Sequence, residues 1–527
     1  MLIGANAVVF LLIVAVALSY GWVRYEIGSV KTASGKHLTP ARCYVGCTGK
    51  APNVAGSGGL SPENILLIGN ETRQGLTPQE QLQYGSSIGH SGTLADIMMI
   101  LHLNPATGTA SILSIPRDLF SPMPANSVVG PYQKMDAALN NGANGPDNLV
   151  SAIQEDLGIP INHFIELNFN GFINSVNALG GINVYFPEPV FDAESLLYIS
   201  TPGCHHLNGV EALALVRARH LQYEPPGTRE PDYDWPYDPE SDLARIVRTH
   251  TFMKIVAQTA KSKGLTDPIL GANFISAILG QITVDSGLKN QMLSLVLKYR
   301  NLDVGGVPET TLPTTAVNNY YYGGYGIGDV LFPVQPDDNN VIRSWDSQAL
   351  PPPAPPKSVS VVSITGSDSA AVSAGQALAA DGLKVSGESA GSVPAYTSET
   401  LVLYHPGQTA YALDVMKYLS GAVMMQVGTS VAPGTVEVDL GSSVSVAHPP
   451  PATKTGAATP STSATTRATS VPSTTHALGT TSRSSAHPAA GTPKAHTVPT
   501  TTSVPTPGGL TPSAAGDQQE PWDPRAC

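Results

Sequence analysis

The sequence has little charge, and its basic residues are outnumbered by its acidic ones. Only 13% of the 527 residues are charged, and 28 Lys and Arg against 40 Asp and Glu give a formal net charge of -12. A protein that binds nucleic acid needs a basic stripe to neutralise phosphates, so the composition argues against this class. Any phosphate bound here must be held by a few placed arginines, because there is no general positive field.

Cysteine is also scarce, with residues at only four positions: 43, 47, 204 and 527. Cys43 and Cys47 lie close together, but neither a histidine nor a second cysteine pair follows at the spacing of a zinc site. In an exported chain a disulfide is therefore the better prediction for this pair. Cys204 and Cys527 are candidates for a second bond, although their positions in the sequence do not establish it.

Between Asn64 and Asp118 the chain contains three short apolar runs, at residues 65–68, 97–101 and 111–115. Short apolar runs bounded by turn residues predict buried strands. Each run has acids or arginines at one end, as in α/β sheets that bind ligands at strand edges, and acid with arginine suits a metal and a phosphate. The alternative is three core strands with ordinary solvated charges at their ends.

A series of short motifs begins at these runs and continues along the chain. The motifs are Asn64-Ile-Leu-Leu-Ile-Gly, Ala95-Asp-Ile-Met-Met, Ser114-Ile-Pro-Arg-Asp, Leu179-Gly-Gly-Ile, Leu207-Asn-Gly with Leu213, Val216-Arg-Ala-Arg, and Asp242-Leu-Ala-Arg-Ile-Val-Arg. Each motif alone is a weak signal, but together, in this order over about residues 60–300, they resemble the LytR-CpsA-Psr family.

The resemblance implies a function. Members of the family are membrane-anchored enzymes outside Gram-positive cells, which move a glycopolymer from a polyprenyl-pyrophosphate carrier onto peptidoglycan. The chain is thus expected to be a phosphotransferase, with pyrophosphatase as a side activity. The attack of a peptidoglycan hydroxyl on the sugar-side phosphorus would need positioning and charge neutralisation more than covalent help.

The resemblance also implies site residues. Glu71 and Asp96 correspond to two carboxylates that bind Mg2+ or another divalent cation, which prefers oxygen ligands. Arg117 and Asp118 are the expected catalytic residues, and Asp118 either orients Arg117 or helps to activate the acceptor. The arginines expected to clamp the pyrophosphate are Arg73, Arg117, Arg217, Arg219 and Arg245.

Strand patterns alternate with helical ones and predict an α/β fold. The family resemblance implies a mixed-sheet α/β/α domain at residues 61–345, preceded by a loop-rich extracytoplasmic stalk at 24–60. A Pro-rich linker at 346–357 leads to a smaller α/β domain at 358–442, similar to the C-terminal domain of many family members. Residues 443–527 are rich in Ser, Thr, Pro and Ala and are predicted to be a disordered tail.

Two shorter segments carry predictions of their own. Residues two apart share a face only in extended chain, so the helix before Arg217 and Arg219 should end near Val216 if both hold one phosphate. Otherwise they are two surface arginines. Residues 318–325, with four tyrosines, are predicted to form a flexible aromatic segment that either faces glycan or is a plain loop.

Residues 1–23 are apolar except for Asn6 and Ser19, and predict a transmembrane helix, with a cleaved signal peptide as the alternative. Arg24, Lys31 and Lys36 follow this run and none precedes it, so the positive-inside rule would place the rest in the cytoplasm. The resemblance requires the opposite orientation. We therefore expect the true start to lie upstream, with the bulk of the chain extracytoplasmic.

Three departures from the family pattern leave other functions open. Glu71 stands where Asp is usual, Leu94 where an arginine is common, and Thr249 or His250 where a glutamine is common. One alternative is a non-catalytic protein that binds cell wall or lipid-linked glycan. Another is a cell-surface regulator or adhesion protein in which residues 357–442 and the tail matter most.

Overall fold

The computed structural model describes residues 21–22, 24–39, 61–72, 93–229, 231–240, 242–266, 275–347, 349–391, 398–446 and 520–527. Most of the predicted transmembrane helix and both Cys43 and Cys47 lie outside these residues. Within the described ranges, no helix combines the length and the apolar character needed to cross a bilayer.

The strands are numbered in chain order: β1 Lys31–Ala33, β2 Glu63–Asn70, β3 Ala95–Asn104, β4 Thr109–Ser114, β5 Phe120–Pro122, β6 Tyr132–Lys134, β7 His163–Asn168, β8 Ile182–Phe186, β9 Val190–Asp192, β10 Leu197–Ile199, β11 Gly203–Leu207, β12 Gln222–Tyr223, β13 Thr283–Asp285, β14 Glu309–Thr311, β15 Thr314–Tyr322, β16 Tyr325–Pro333, β17 Ser358–Ser363, β18 Val385–Ala390, β19 Thr400–Tyr404, β20 Leu419–Ser420, β21 Val423–Val427, β22 Thr435–Leu440, β23 Ser445–Val446 and β24 Arg525–Ala526. The α-helices are α1 Gly145–Leu157, α2 Phe169–Ala178, α3 Gly209–Arg217, α4 Asp242–Thr266, α5 Ser286–Tyr299, α6 Asp337–Trp345, α7 Asp368–Ala380 and α8 Thr409–Met416.

The central sheet has seven strands in the order β1-β13-β7-β2-β3-β4-β14. β2 runs parallel to β7 and antiparallel to β3, and β3 runs antiparallel to β4, so the sheet is mixed, as predicted. Because β2, β3 and β4 alternate in direction, the last residue of β2, the first of β3 and the last of β4 lie along the same side of the sheet, where these strands end. This side is called the site edge of the sheet below. The charged residues that flank the three apolar runs are therefore neighbours in space.

Alternate side chains of the central strands fill two cores, as the period of two requires. Leu66 and Met98 belong to a core that also contains Ile153 of α1. Ile65 and Met99 point to the other face and pack in a core with Leu288 of α5. Helices thus cover both faces, which agrees with the predicted α/β/α layering.

Residues 358–446 contain a second sheet of five strands in the order β18-β17-β22-β19-β21. The smaller α/β domain predicted at 358–442 thus contains a sheet, but a separate domain is not confirmed. Val359 and Val402 share one core with Leu66 of the central sheet, and the Met425 N–H donates to the Asp156 carboxylate at 3.1 Å. The Pro-rich run therefore connects two sheets that are packed together.

The predicted boundaries at the two ends of the chain are wrong. β1 pairs in parallel with β13, Lys31 opposite Thr283, so this part of the expected stalk is an edge strand of the central sheet. At the other end, β24 pairs with β8, Arg525 opposite Tyr185, within the segment predicted to be disordered. Both pairings join residues far apart in sequence, so local composition does not reveal them.

The aromatic segment predicted to be flexible is a β-hairpin. β15 and β16 pair from Thr314 opposite Pro333 to Tyr322 opposite Tyr325. The two residues between them, Gly323 and Gly324, have φ of +58° and +83°. Positive φ at both positions is the pattern of a type I′ turn, whose twist matches that of the flanking strands.

The shared core predicts that both sheets unfold together. All four tryptophans, Trp22, Trp235, Trp345 and Trp522, lie outside residues 358–446. Leu413 of α8 is 1% exposed in the shared core, and Leu413→Ala should lower the unfolding free energy by about 2–5 kcal/mol. Urea unfolding followed by tryptophan fluorescence should shift accordingly. The half-exposed Val372→Ala should leave the transition in place, and an unshifted fluorescence transition in Leu413→Ala would mean independent domains.

Candidate active site

The edge where β2, β3 and β4 meet carries the predicted site residues. The Glu71 N–H donates to the Leu94 carbonyl at 3.3 Å, which places Glu71 across from the residue two before Asp96. Asn70 and Thr72, on either side of Glu71, line a cleft of about 550 Å3. Arg73 lies outside the described residues, so its predicted role stays a prediction.

Arg117 is the centre of a charge cluster at this edge. Its side chain is 12% exposed and forms ion pairs with Asp96 and, at 2.9 Å, with Asp136; its Nε lies 3.8 Å from Asp118. Burial alone would lower the pKa of Arg117, but the carboxylates of Asp136, Asp96 and Asp118 outweigh it and raise the pKa. The guanidinium is therefore held as a cation between three acids.

Asp118 connects Arg117 to other cations. Lys134 Nζ donates to one of its carboxylate oxygens at 2.8 Å, and Arg219 Nη2 donates to the other at 3.0 Å. Arg219 Nε also lies 3.1 Å from Asp242, and its side chain is 33% exposed. Among the predicted arginines that the structure describes, Arg219 thus belongs to the cluster and also reaches solvent.

Arg245 lies beneath the charge cluster, away from solvent. It is 3% exposed and donates two hydrogen bonds to Asp242, at 2.8 and 3.2 Å. Burial would raise the pKa of Asp242, but the charge and hydrogen bonds of Arg245 lower it to about 2. Asp242 is the first residue of α4, and its carboxylate joins Arg245 to Arg219. Arg245 therefore acts on the cluster through Asp242.

The backbone after α3 separates Arg217 from Arg219. α3 ends at Arg217, one residue later than predicted, and Ala218 is extended with φ -63° and ψ 104°. The Arg217 guanidinium carbon lies 4.9 Å from the centroid of the Phe169 ring. The helix thus ends within one residue of Val216, and Arg219 reaches the cluster from extended chain, while Arg217 lies over Phe169. That both arginines hold one phosphate stays a prediction.

Burial raises the pKa of Asp136 to about 7, against the opposing charge of Arg117. Asp136 and Lys134 were not among the predicted site residues. Asp136 stands alone among Met135, Ala137, Ala138 and Leu139, and an acid inside a buried apolar run is a signal that sequence reasoning could have used. Lys134 carries no such signal, because a lysine at the end of a short strand is ordinary.

The last residues of the chain form a clasp, defined here as residues 520–527. Cys527 is disulfide-bonded to Cys204, 323 residues away. Trp522 stacks on Tyr223 with ring centroids 3.8 Å apart. Within the described residues, this confirms the second of the two candidate bonds and corrects the prediction that the tail is disordered to its end.

The clasp supports the backbone at Ala218, which lies between Arg217 and Arg219. Asp523 accepts a hydrogen bond from Arg248 at 3.2 Å, and Asp238 accepts one from the same guanidinium at 2.6 Å. Arg248 is 1% exposed and also donates to the Ala218 carbonyl at 2.9 Å. A buried guanidinium needs such partners. By holding Arg248 in place, the clasp helps to fix the backbone at Ala218, from which Arg219 extends to the cluster.

The cluster offers hard oxygen donors as well as cations. Among the described residues, no three His, Cys, Asp or Glu side chains are arranged to hold a metal by themselves. Magnesium in phosphate-processing sites commonly takes only one or two carboxylates and completes its shell with water and substrate phosphate. Asp96, whose side chain is 17% exposed beside the buried Asp136, fits that kind of site, with Glu71 directly after the end of the adjacent strand β2.

The fold and site define a class: a mixed α/β protein with several arginines and acids gathered at one sheet edge, suited to a polyanionic ligand. The LytR_cpsA_psr family model matches residues 47–328, more than half of the chain, and this protein belongs to that family. Arg117, Arg219 and Arg245 lie within the matched range.

Named relatives are similar over the same part. A probable cell wall biosynthesis protein LcpB of Corynebacterium glutamicum is 33% identical over 283 residues, 53% of this chain and 60% of that protein. The cell wall biosynthesis protein LcpA of the same organism is 27% identical over 331 residues, 56% of this chain and 59% of that protein. A polyisoprenyl-teichoic acid–peptidoglycan teichoic acid transferase TagU of Bacillus mycoides is 29% identical over 243 residues, 46% of this chain and 65% of that protein. The chain therefore spans less than two thirds of each relative.

The raised pKa of Asp136 predicts a pH dependence of stability. Unfolded Asp titrates near pH 4, whereas folded Asp136 titrates near 7. Between these values the folded state binds more protons, so stability falls as pH rises. Asp136→Asn should remove this contribution, and urea midpoints at pH 5 and pH 8 should differ less than in the wild type. Asp156, with a pKa also raised to about 7, remains in both proteins. The exposed Asp234→Asn is the control; an unchanged difference in Asp136→Asn would contradict the assignment.

The clasp predicts a loss of stability when its buried pair is broken. Asp523→Asn leaves Arg248 with one carboxylate and should cost about 1.5–3 kcal/mol of unfolding free energy. Thermal melting of the full chain, with the disulfide intact, measures this. Arg525→Ala in the same segment is the control, since Arg525 is exposed. Equal melting of Asp523→Asn and Arg525→Ala would show that the contact with Arg248 contributes nothing.

Proposed function

We propose that the protein is a membrane-anchored phosphotransferase that attaches a glycopolymer from a polyprenyl-pyrophosphate carrier to peptidoglycan. Family membership and the names of the similar proteins, cell wall biosynthesis proteins and a teichoic acid transferase, support the class of reaction. The observation that carries the proposal is the cluster of Arg117, Lys134 and Arg219 around Asp118, since a pyrophosphate needs several fixed cations in one place.

Arg117 supplies positive charge where phosphoryl oxygens gain negative charge. The acids around it hold the guanidinium fixed before substrate arrives, so little reorganisation is needed in the transition state. Arg219, the more accessible cation, binds the outer phosphate oxygens with its planar fork of donors. Asp242 and Arg245 keep Arg219 in place.

Asp118 acts by orienting cations in this proposal. Its two oxygens already accept from Lys134 and Arg219, and Arg117 is close. A carboxylate whose two oxygens already accept hydrogen bonds from cations has few directions left from which to accept a bond from an acceptor hydroxyl. Of the two roles that the sequence left open, positioning is therefore the better supported.

A divalent cation, Mg2+ by preference, is part of the proposal. Asp96 and Glu71 would hold it, and when bound it would neutralise phosphate charge and favour departure of polyprenyl phosphate. Arg117 competes with such an ion for Asp96, because one carboxylate serves both.

We infer an extracytoplasmic location from redox chemistry. The Cys204–Cys527 bond closes the clasp, and disulfides of this structural kind persist mainly in oxidising compartments. This supports the orientation expected from the family over the one that the positive-inside rule would give for Arg24, Lys31 and Lys36. Partners on that side are the lipid-linked glycan, the peptidoglycan acceptor and the membrane.

The direct test is transfer of a labelled glycan from a polyprenyl-pyrophosphate donor to peptidoglycan by the purified full chain, with magnesium and with chelator. Transfer that stops with chelator and returns with magnesium supports the proposal. Glycan bound without transfer, with or without metal, would favour the alternative of a non-catalytic wall-binding protein.

Arg117 should be essential in that assay. Loss of one preorganised donor to a developing negative charge costs on the order of 10²–10³ in rate. Arg117→Lys should lose most activity because a point charge replaces the planar fork, and Arg117→Ala should lose nearly all. The exposed Arg229→Ala is the matched control. Melting of the same preparations separates folding from chemistry: a folded Arg117→Ala protein with near wild-type transfer would remove the catalytic role.

A further inference from the structure

A cleft on the α1 face of the central sheet lies next to the candidate site. It has a volume of about 550 Å3, and Asn70 and Thr72, the residues on either side of Glu71, line it. Leu139, which ends the short helical turn that contains Asp136, lines it as well. The cleft therefore adjoins the site edge where β2 ends.

The floor of the cleft is polar, although the same face of the sheet is apolar further along. Glu166 of β7 stands opposite Thr283 of β13, and Thr283 stands opposite Lys31 of β1, so the three side chains form one row across the sheet. On β2 this row continues with Ile68, which belongs to the same core as Ile153 of α1. The cleft thus begins where polar residues replace the apolar side chains of this face.

Several polar groups that line the cleft have no protein partner. The Thr283 hydroxyl, the Gln281 amide and the Asn144 amide make no side-chain hydrogen bond within the part of the chain that the structure describes. A few placed polar groups on a concave wall are the means by which proteins orient a polar ligand. The lining therefore offers donors and acceptors to an occupant of the cleft.

Glu166 adds a carboxyl group to the floor. The Asn70 amide donates to one of its oxygens at 2.6 Å, and the other oxygen accepts no hydrogen bond from a described residue. Burial raises the pKa of Glu166, and the bond from Asn70 opposes this shift. A half-buried carboxyl with a raised pKa in a cleft is typical of a binding or catalytic site.

We propose that this cleft binds an uncharged pyranose of the glycan, which rests on the proposed function. The pyranose is either the donor sugar that carries the pyrophosphate or the acceptor sugar whose hydroxyl attacks it. Both sugars must lie beside the phosphorus during transfer. The cleft is in the right place for either, because Asn70 and Thr72 join it to the site edge at Glu71.

The chemistry of the lining argues against other parts of the substrates. A polyprenyl chain would cover the amides and hydroxyls without supplying hydrogen bonds, which is unfavourable. A run of phosphates would meet only one cation, Lys31, among the described lining residues, and Glu166 would repel it when ionised. Sugar hydroxyls both donate and accept, and so match amides, hydroxyls and a carboxyl group.

The first experiment measures binding of two probes by the purified full chain. One probe is peptide-free glycan strands released from peptidoglycan, and the other is N-acetylglucosamine linked to a short polyprenyl pyrophosphate. The cleft variant, Gln281→Ala with Thr283→Val, removes two hydrogen-bonding groups and should raise the Kd of one probe about tenfold. The probe whose Kd rises identifies the sugar as acceptor or donor.

The cleft variant should fold normally, because neither side chain has a protein partner and valine suits a strand. Its melting temperature checks this. The matched control is Gln258→Ala with Thr315→Val, which makes the same two changes at exposed positions outside the cleft. Unchanged binding of both probes in a folded cleft variant, or an equal loss in the control, would overturn the proposal.

Inorganic pyrophosphate separates the cleft from the arginine cluster. Its Kd should rise in Arg219→Ala, which removes a cation, and stay unchanged in the cleft variant. A rise in the cleft variant would mean that its substitutions act through the arginines, and the sugar site would be rejected.

Transfer assays distinguish failure of the sugar site from failure of the proposed function. The cleft variant should raise KM for the substrate whose sugar it binds and leave kcat nearly unchanged. Transfer with an unchanged KM for both substrates would remove the sugar site and leave the function. If the wild type binds a probe through Gln281 and Thr283 but transfers nothing, the enzymatic function fails while the sugar site stands.

Discussion

The burial of Arg117 is the constraint on which the site depends. A guanidinium keeps its charge at any physiological pH, and a charge removed from water must be paired. Here Asp96 comes from the start of β3, Asp118 follows Arg117 in the chain, and Asp136 comes from the short helical turn after β6. Three separate parts of the fold are thus required to meet at one point.

Other charged residues around Arg117 are also paired with opposite charges. Asp118 forms ion pairs with Lys134 and Arg219, and Asp242 forms ion pairs with both Arg219 and the buried Arg245. Arg248, on the same helix, needs Asp523 as well as Asp238, which draws in the last residues of the chain. Stability and site geometry are therefore linked, because the contacts that satisfy buried charges also position the exposed cation.

The sequence alone determined the elements with strong local patterns. Apolar runs predicted β2, β3 and β4 close to their observed bounds, because an apolar pattern reports which side chains are buried. Motif order located Asp96, Arg117, Arg219 and Arg245.

Tertiary structure alone decided which charged side chains pair with one another. Asp136 and Asp523 became partners of arginines, and β1 and β24 joined distant strands, through contacts between residues far apart in the chain. The Gly323-Gly324 turn was readable as a hairpin signal, but which rings it exposes depended on Phe120 and Tyr132 being present to bury the others.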